Sequence, residues 1–297
     1  MDTEDSRWAA WHLHLSALGA PATDQVVRHV VGAAVDAVRE WDTETEWFFI
    51  RYWQFGPHVR FRVADLDTER QQDLDAVIRA SMADILSAGS HTLTAEDYRR
   101  HAAPLAAAGE GGRPLDPGEL WPAGVYRQPY RPEIDRYGGP NLLALSESLF
   151  FQASQLALAF IRLRPPEGAR SGLGLRATRS ALDVLADDDE RLRFCRRAAS
   201  GWQSWAEQAG AGEIPAPPPL AGLEGPAPGP VRRWSDQVSR AMTRWRGAMP
   251  EEAAARLLHA HIHMLHNRLG LSVGQECHHY LALASTLSTV SVGAVAP

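Results

Sequence analysis

Apolar side chains recur every three or four residues between positions 23 and 40, where Val26, Val27, Val30, Val31, Ala34, Val35 and Val38 fall on one stripe. That period predicts an amphipathic helix. A second stripe, Leu74, Val77, Ile78, Met82, Ile85 and Leu86, predicts another over residues 67–87. Around the first helix the period drops to two. Over residues 8–18, Trp11, Leu13 and Leu15 oppose His12 and His14, and after the Gly56-Pro57 turn His58, Arg60 and Arg62 alternate with Val59, Phe61 and Val63. Alternation of this kind predicts strands with two unlike faces. Strand, helix, hairpin, helix is the opening of a ferredoxin-like α+β arrangement.

Residues 91–131 break the pattern with Ala, Gly and Pro, including AAAGEGGRPLDPGELWPAG, which reads as a mobile insertion over 91–128. VYRQPYRPEIDRY then reads as extended chain. From residue 141 the periodicity is helical, over 141–164, 173–186, 190–209, 234–249 and 251–269, with a Pro-rich connector at 214–230 that cannot be helical. The expected organisation is one domain, 1–297, with a sheet-rich part to residue 140 and a helical part after it.

The chain has 297 residues, 45% of them hydrophobic, enough for a proper core. A net charge of -6 argues against a general polyanion-binding surface, so no direct nucleic-acid binding is expected. Cys195 and Cys277 are the two cysteines, too few for a disulfide framework, and MDTEDSRW lacks the regions of a signal peptide. No uninterrupted apolar run approaches a membrane span. These features suggest a cytoplasmic, soluble protein with no membrane contact.

Chemistry-bearing motifs are few. GLGLRA near Gly172 lacks a preceding strand and does not read as a dinucleotide site, and there is no P-loop and no GxSxG elbow. Twelve histidines invite a metal reading. His259 and His263 share a helix face, but Ala260 stands where HExxH needs its glutamate, so no metal and no cofactor is expected. The basic face of the 58–63 strand can grip an anion, since buried arginines need carboxylate partners or a charged ligand. A strand that is simply amphipathic, with solvated arginines, fits the same residues.

Three stretches in order, WFFIRYWQFGPHVRFRV, YRPEIDRYGGPNLLALSESLF and HIHMLHNRLGL, resemble the signature segments of the C-terminal elimination domain of class I lantibiotic dehydratases. That domain also occurs as a free-standing thiopeptide-type bacteriocin biosynthesis protein, and the resemblance covers nearly the whole chain. It implies a lyase that expels glutamate from glutamylated Ser or Thr of a precursor peptide, leaving dehydroalanine or dehydrobutyrine. The glutamylation itself is then expected from a separate glutamyl-tRNA-dependent protein. A homodimer is compatible with this.

Matched motif by motif, the resemblance makes Arg60, Arg62, Glu133, Arg136 and His263 the catalytic set. Arg60 and Arg136 would hold the glutamyl group, Arg62 the enolate or the substrate's position, Glu133 an arginine, and His263 the proton. Arg51, Tyr52, His58, Tyr137, Asn267 and Arg268 lie in the same motifs as substrate-binding candidates with structural roles equally open to them. Thiopeptide clusters also contain proteins of this fold that join two dehydroalanines by [4+2] cycloaddition into a pyridine with release of the leader. The third expectation is a noncatalytic subunit that binds the precursor peptide.

Overall fold

The computed structural model describes residues 7–88, 92–109, 113–210, 214 and 229–293. Strand β1 (Trp8–His14) leads into α1 (Ala20–Val26), a π-helical turn (Val27–Val31) and α2 (Gly32–Trp41), which together occupy the first predicted helix. The hairpin β2 (Trp47–Tyr52) and β3 (His58–Ala64) follows, then α3 (Thr68–Ala88), α4 (Ala95–Ala108) and β4 (Gly124–Arg127). The remaining elements are α5 (Pro140–Arg162), α6 (Glu167–Leu182), α7 (Asp188–Gln208), α8 (Gly229–Ala248), α9 (Glu251–Leu269) and α10 (Val273–Gly293).

The four strands pair antiparallel in the order β2-β3-β1-β4, the ferredoxin-like topology expected from the opening period. Two differences from the sequence reading stand out. Within 91–128 the Ala-rich half forms α4 and the far end supplies the edge strand β4, because alanine favours helix more than any other residue. The second difference is α10, which lies beyond the last helix read from the periodicity. The Pro-rich connector at 214–230 lies outside the described residues except for Ile214 and 229–230.

The chain divides into two compact units. The first holds residues 1–103, 116–134 and 150–164; the second holds 104–115, 135–149 and 165–297. In the first unit, one sheet face carries Trp11, Leu13, Trp47, Phe49, Val59, Phe61 and Val63, all 1% exposed or less. It packs against Val30, Val35, Leu74 and Ile78 of the helices, which are also buried. Trp11 keeps its indole N–H satisfied by donating to Asp75 Oδ1 at 2.9 Å. The second half of α5 adds Phe150 and Phe151 against Phe48 and Trp47. Its Ser154 hydroxyl accepts from Phe49 N at 3.1 Å.

The second unit is helical. Asp187 caps α7 by accepting from Glu190 N at 2.7 Å, while Glu190 reaches back to Ala186 N, a reciprocal arrangement close to a capping box. At the start of α10, Ser272 and Gln275 exchange side chain to backbone bonds of 2.9 and 3.2 Å in the same manner. Helix α9 ends on Gly270 in the left-handed region (φ 75), with Leu271 N bonding back to His266 O. By length and composition α5 could cross a membrane, although no uninterrupted apolar run signals it. Its most apolar window is 61% buried inside the protein, as a core helix would be.

Candidate functional site

The hairpin register decides which motif residues share a face. Across the sheet, Tyr52, His58, His14 and Gly124 form one row; Ile50, Arg60, His12 and Tyr126 form the next; Phe48, Arg62 and Ala10 form the third. These rows lie on the face opposite the apolar core. The strands contribute no Asp or Glu to this face, and its cationic side chains come from Arg60 and Arg62.

Each arginine is oriented by aromatic neighbours. The Arg60 guanidinium lies 3.5 Å from the Tyr52 ring centroid, and its Nε donates to His58 Nε2 at 3.0 Å. His58 Nδ1 faces the Gly56 carbonyl at 2.8 Å, and since a carbonyl can only accept, the ring hydrogen sits on Nδ1 and Nε2 is free to accept. Burial, reinforced by His14 and Arg60, holds His58 well below its ordinary pKa, so it remains a neutral acceptor. Arg62, 7% exposed, sits between Phe48 and Tyr130 at 5.0 and 4.8 Å. Gly56 makes the turn possible at φ 107. A Cβ there would come within 2.7 Å of Leu120.

His12, His14 and His58 bring ring nitrogens within 4.8 Å of one another, which raises the question of a metal. The rings answer it. His14 and His58 stack face to face, 4.3 Å apart and 11° from parallel, so an ion in the plane of one ring lies out of the plane of the other. Both nitrogens of His58 are also engaged, by Gly56 and Arg60. The trio forms a stacked support beside Arg60, continued by Trp121 on His14 at 5.2 Å. It does not fit a metal.

Arg51, from the same motif, points the other way. It pairs with Val59 on the core face, where its guanidinium bonds Asp24 Oδ1 at 2.6 Å and also contacts Thr23. Its observed role is to hold α1. Glu133 belongs to the first unit and is exposed.

Arg136, Tyr137, His263, Asn267 and Arg268 belong to the second unit. Arg136 is exposed in the turn before α5, and its charge helps lower the pKa values of His259 and His261. Tyr137 is buried against the His261 ring at 5.6 Å. Gly138 and Gly139 both adopt φ 87, turning the chain into α5. Gly138→Ala is expected to cost about 1–2 kcal/mol through left-handed strain, read as a melting temperature lower by a few degrees. Arg268 is fully buried, with Nη1 donating to Met264 O at 2.8 Å, and Asn267 O accepts from Gly270 N at the helix end.

His263 lies partly exposed on α9 beside Trp202, with ring centroids 4.9 Å apart. Its Nδ1 is 2.8 Å from Glu276 Oε2, a carboxylate only 1% exposed at the start of α10. Burial acts to raise the Glu276 pKa, but His263 and His266 outweigh it and hold the carboxyl well below the usual range. Sequence reasoning missed Glu276. The usable signal was an acid one residue past a Ser272-x-x-Gln275 cap, where capping fixes the helix phase.

A family model described as the C-terminal part of the lantibiotic biosynthesis dehydratase matches residues 8–287. Among solved structures, the pyridine synthase TbtD from thiomuracin biosynthesis shares 18% identity over 96% of this chain and 100% of its own, with a TM-score of 0.66. The tRNA-dependent lantibiotic dehydratase MibB from Microbispora sp. 107891 shares 19% identity over 98% of this chain and 29% of its own, with a TM-score of 0.62. TsrL shares 15% identity over 96% of this chain and 95% of its own, with a TM-score of 0.50. No curated protein sequence matches significantly. At these identities the structures speak to the fold, while the family match spans nearly every described element. The chain therefore belongs to the lantibiotic biosynthesis dehydratase C-terminal family, and so to the maturation of ribosomally made peptides.

Proposed function

We propose that this protein eliminates glutamate from glutamylated Ser or Thr residues of a precursor peptide, giving dehydroalanine or dehydrobutyrine. The observation that supports it most is the sheet face on which Arg60 and Arg62 are set by Tyr52, His58, Phe48 and Tyr130. Rigidly held guanidinium groups suit a carboxylate leaving group. In the reaction the peptide Cα–H and Cβ–O bonds break, a Cα=Cβ double bond forms, and the glutamate carboxylate departs with the bonding pair. His263 takes the Cα proton. Arg60 and Arg136 neutralise the glutamyl group, Arg62 stabilises the enolate or positions the peptide, and Glu133 orients an arginine.

The substrate is supplied by a separate glutamyl-tRNA-dependent activity. A second reading, [4+2] joining of two dehydroalanines into a pyridine, draws on the TbtD likeness, which runs over the whole of that chain. Elimination is preferred because a cyclase has no glutamate to hold, whereas both strand arginines, Glu133, Arg136 and His263 are all present. Both readings make the protein an enzyme that modifies peptides.

The test is purified protein with a glutamylated peptide. Free glutamate and dehydroamino acid should appear in equal amounts, and folded His263→Ala should slow both by about a hundredfold or more, the usual worth of a general base. Folded Arg60→Ala, Arg136→Ala and His263→Ala variants that all keep full product formation would reduce the protein to a peptide-binding subunit.

A further inference from the structure

Glu276 lies outside every motif in the three signature stretches, yet it is among the most buried charged side chains described. It occupies the first turn of α10, where the helix dipole favours a carboxylate. The Ser272/Gln275 cap fixes where that turn begins. Three groups converge on it. His263 Nδ1 lies 2.8 Å and His266 Nδ1 3.4 Å from Oε2, while the Tyr280 hydroxyl donates to Oε1 at 3.5 Å.

An ionised carboxylate only accepts hydrogen bonds, so the hydrogen on the His263 ring must be on Nδ1 for the 2.8 Å contact to be a bond. That leaves Nε2 with a lone pair. His266 is held from its other side, with Nε2 2.9 Å from Thr178 Oγ1 and 3.3 Å from the Gly174 carbonyl. Thr178 Oγ1 itself donates to that carbonyl at 3.0 Å, so His266 Nε2 carries a hydrogen and donates to the hydroxyl. A Cβ on Gly174 would stand 3.4 Å from His266 and 3.1 Å from His279, so the bare glycine of the GLGLRA segment leaves room for these rings. With its hydrogen on Nε2, a neutral His266 turns the lone pair of Nδ1 toward Glu276, so the hydrogen-bonded link is the one between partly exposed His263 and Glu276, with His266 packed against the carboxylate.

We propose that Glu276 is a positioning residue for His263, fixing the tautomer with hydrogen on Nδ1 so that Nε2 can accept the substrate's Cα proton. When Nε2 takes that proton the imidazolium forms against the carboxylate, which stabilises it where it stands. This rests on the reading of His263 as the proton acceptor and adds the group that makes it one. The logic is that of a carboxylate holding a catalytic histidine, where loss of the carboxylate charge costs about ten thousandfold when the histidine takes up the wrong tautomer.

The experiment uses the full-length protein and Glu276→Gln, which keeps the shape and removes the charge. Glu276→Gln should lower kcat for dehydroamino-acid formation by about a hundredfold or more with KM within about twofold, and should move the acid limb of the pH profile to lower pH. Glu276→Asp should recover part of the loss. Independently of turnover, 15N-histidine spectra, assigned with His263→Phe, should show the His263 Nδ1–H tautomer in the wild type and a mixed or Nε2–H tautomer in Glu276→Gln. An unchanged tautomer together with an unchanged kcat and pH limb in folded Glu276→Gln overturns the proposal. If His263→Phe stays active while the tautomer still depends on Glu276, the catalytic reading of His263 fails and the positioning contact survives.

Discussion

Replacing Arg60 with alanine should slow dehydroalanine formation by about a hundred- to a thousandfold, while leaving the melting temperature within a few degrees of the wild type. The same change at Arg51, nine residues earlier in the same motif, should do the opposite. Arg51 and Asp24 are about one-tenth exposed and 2.6 Å apart, so Arg51→Ala leaves a buried carboxylate without its cation and should cost about 3–5 kcal/mol. For a protein of this size that is a fall of roughly ten degrees in Tm. Arg60→Lys should rescue little, because a lysine offers no planar group for the Tyr52 face and no Nε for His58. Single-turnover rates and thermal melts on the two alanine variants check the contrast. Equal rate losses at both positions would contradict the division of the motif between two sheet faces.

The second large effect is acid lability. Burial pushes six histidines down in the folded state: His14 and His259 to about 4, His12, His261 and His279 to about 3, and His58 well below its ordinary value. Nearby arginines add to the shift at His12, His14, His58, His259 and His261. A histidine whose folded pKa is lowered binds fewer protons folded than unfolded below pH 6.5. Stability is therefore full above about 6.5 and falls as pH drops from there toward the folded values. Each such group can cost up to about 1.4 kcal/mol per pH unit, so a few of them would remove several kcal/mol by pH 5. The low folded pKa of Glu276 adds its own loss further down. Thermal melts from pH 8 to 5 should show Tm falling steadily below about 6.5, with a shallower fall in His261→Phe. A flat Tm down to pH 5 would show that these rings are not neutral and buried in solution.

Much of the first unit was legible in its periods. Alternation from His58 to Val63 gave β3 and the shared face of His58, Arg60 and Arg62, because the pleat sends every second side chain the same way. What alternation cannot give is register across the Phe55-Gly56 turn. That register sets Tyr52 opposite His58 and so puts Arg51 on the core face, leaving a motif arginine with a structural partner 27 residues upstream. Helix α4 was hidden because its alanines run into a Gly- and Pro-rich tail. For α10, the sequence QECHHY mixes polar residues into the buried side of the helix and so blurs the apolar stripe. The Glu276 contact with His263 is a tertiary one between adjacent helices, thirteen residues apart, and no local spacing announces it.

The most direct test of glutamate elimination is mass spectrometry of the purified protein incubated in parallel with a glutamylated precursor peptide and with the fully dehydrated peptide. The account predicts that the first loses glutamate to give dehydroamino acids and that the second comes through unchanged. Release of leader peptide and a pyridine macrocycle from the second, with the first untouched, would contradict it and make the protein a cycloaddition enzyme.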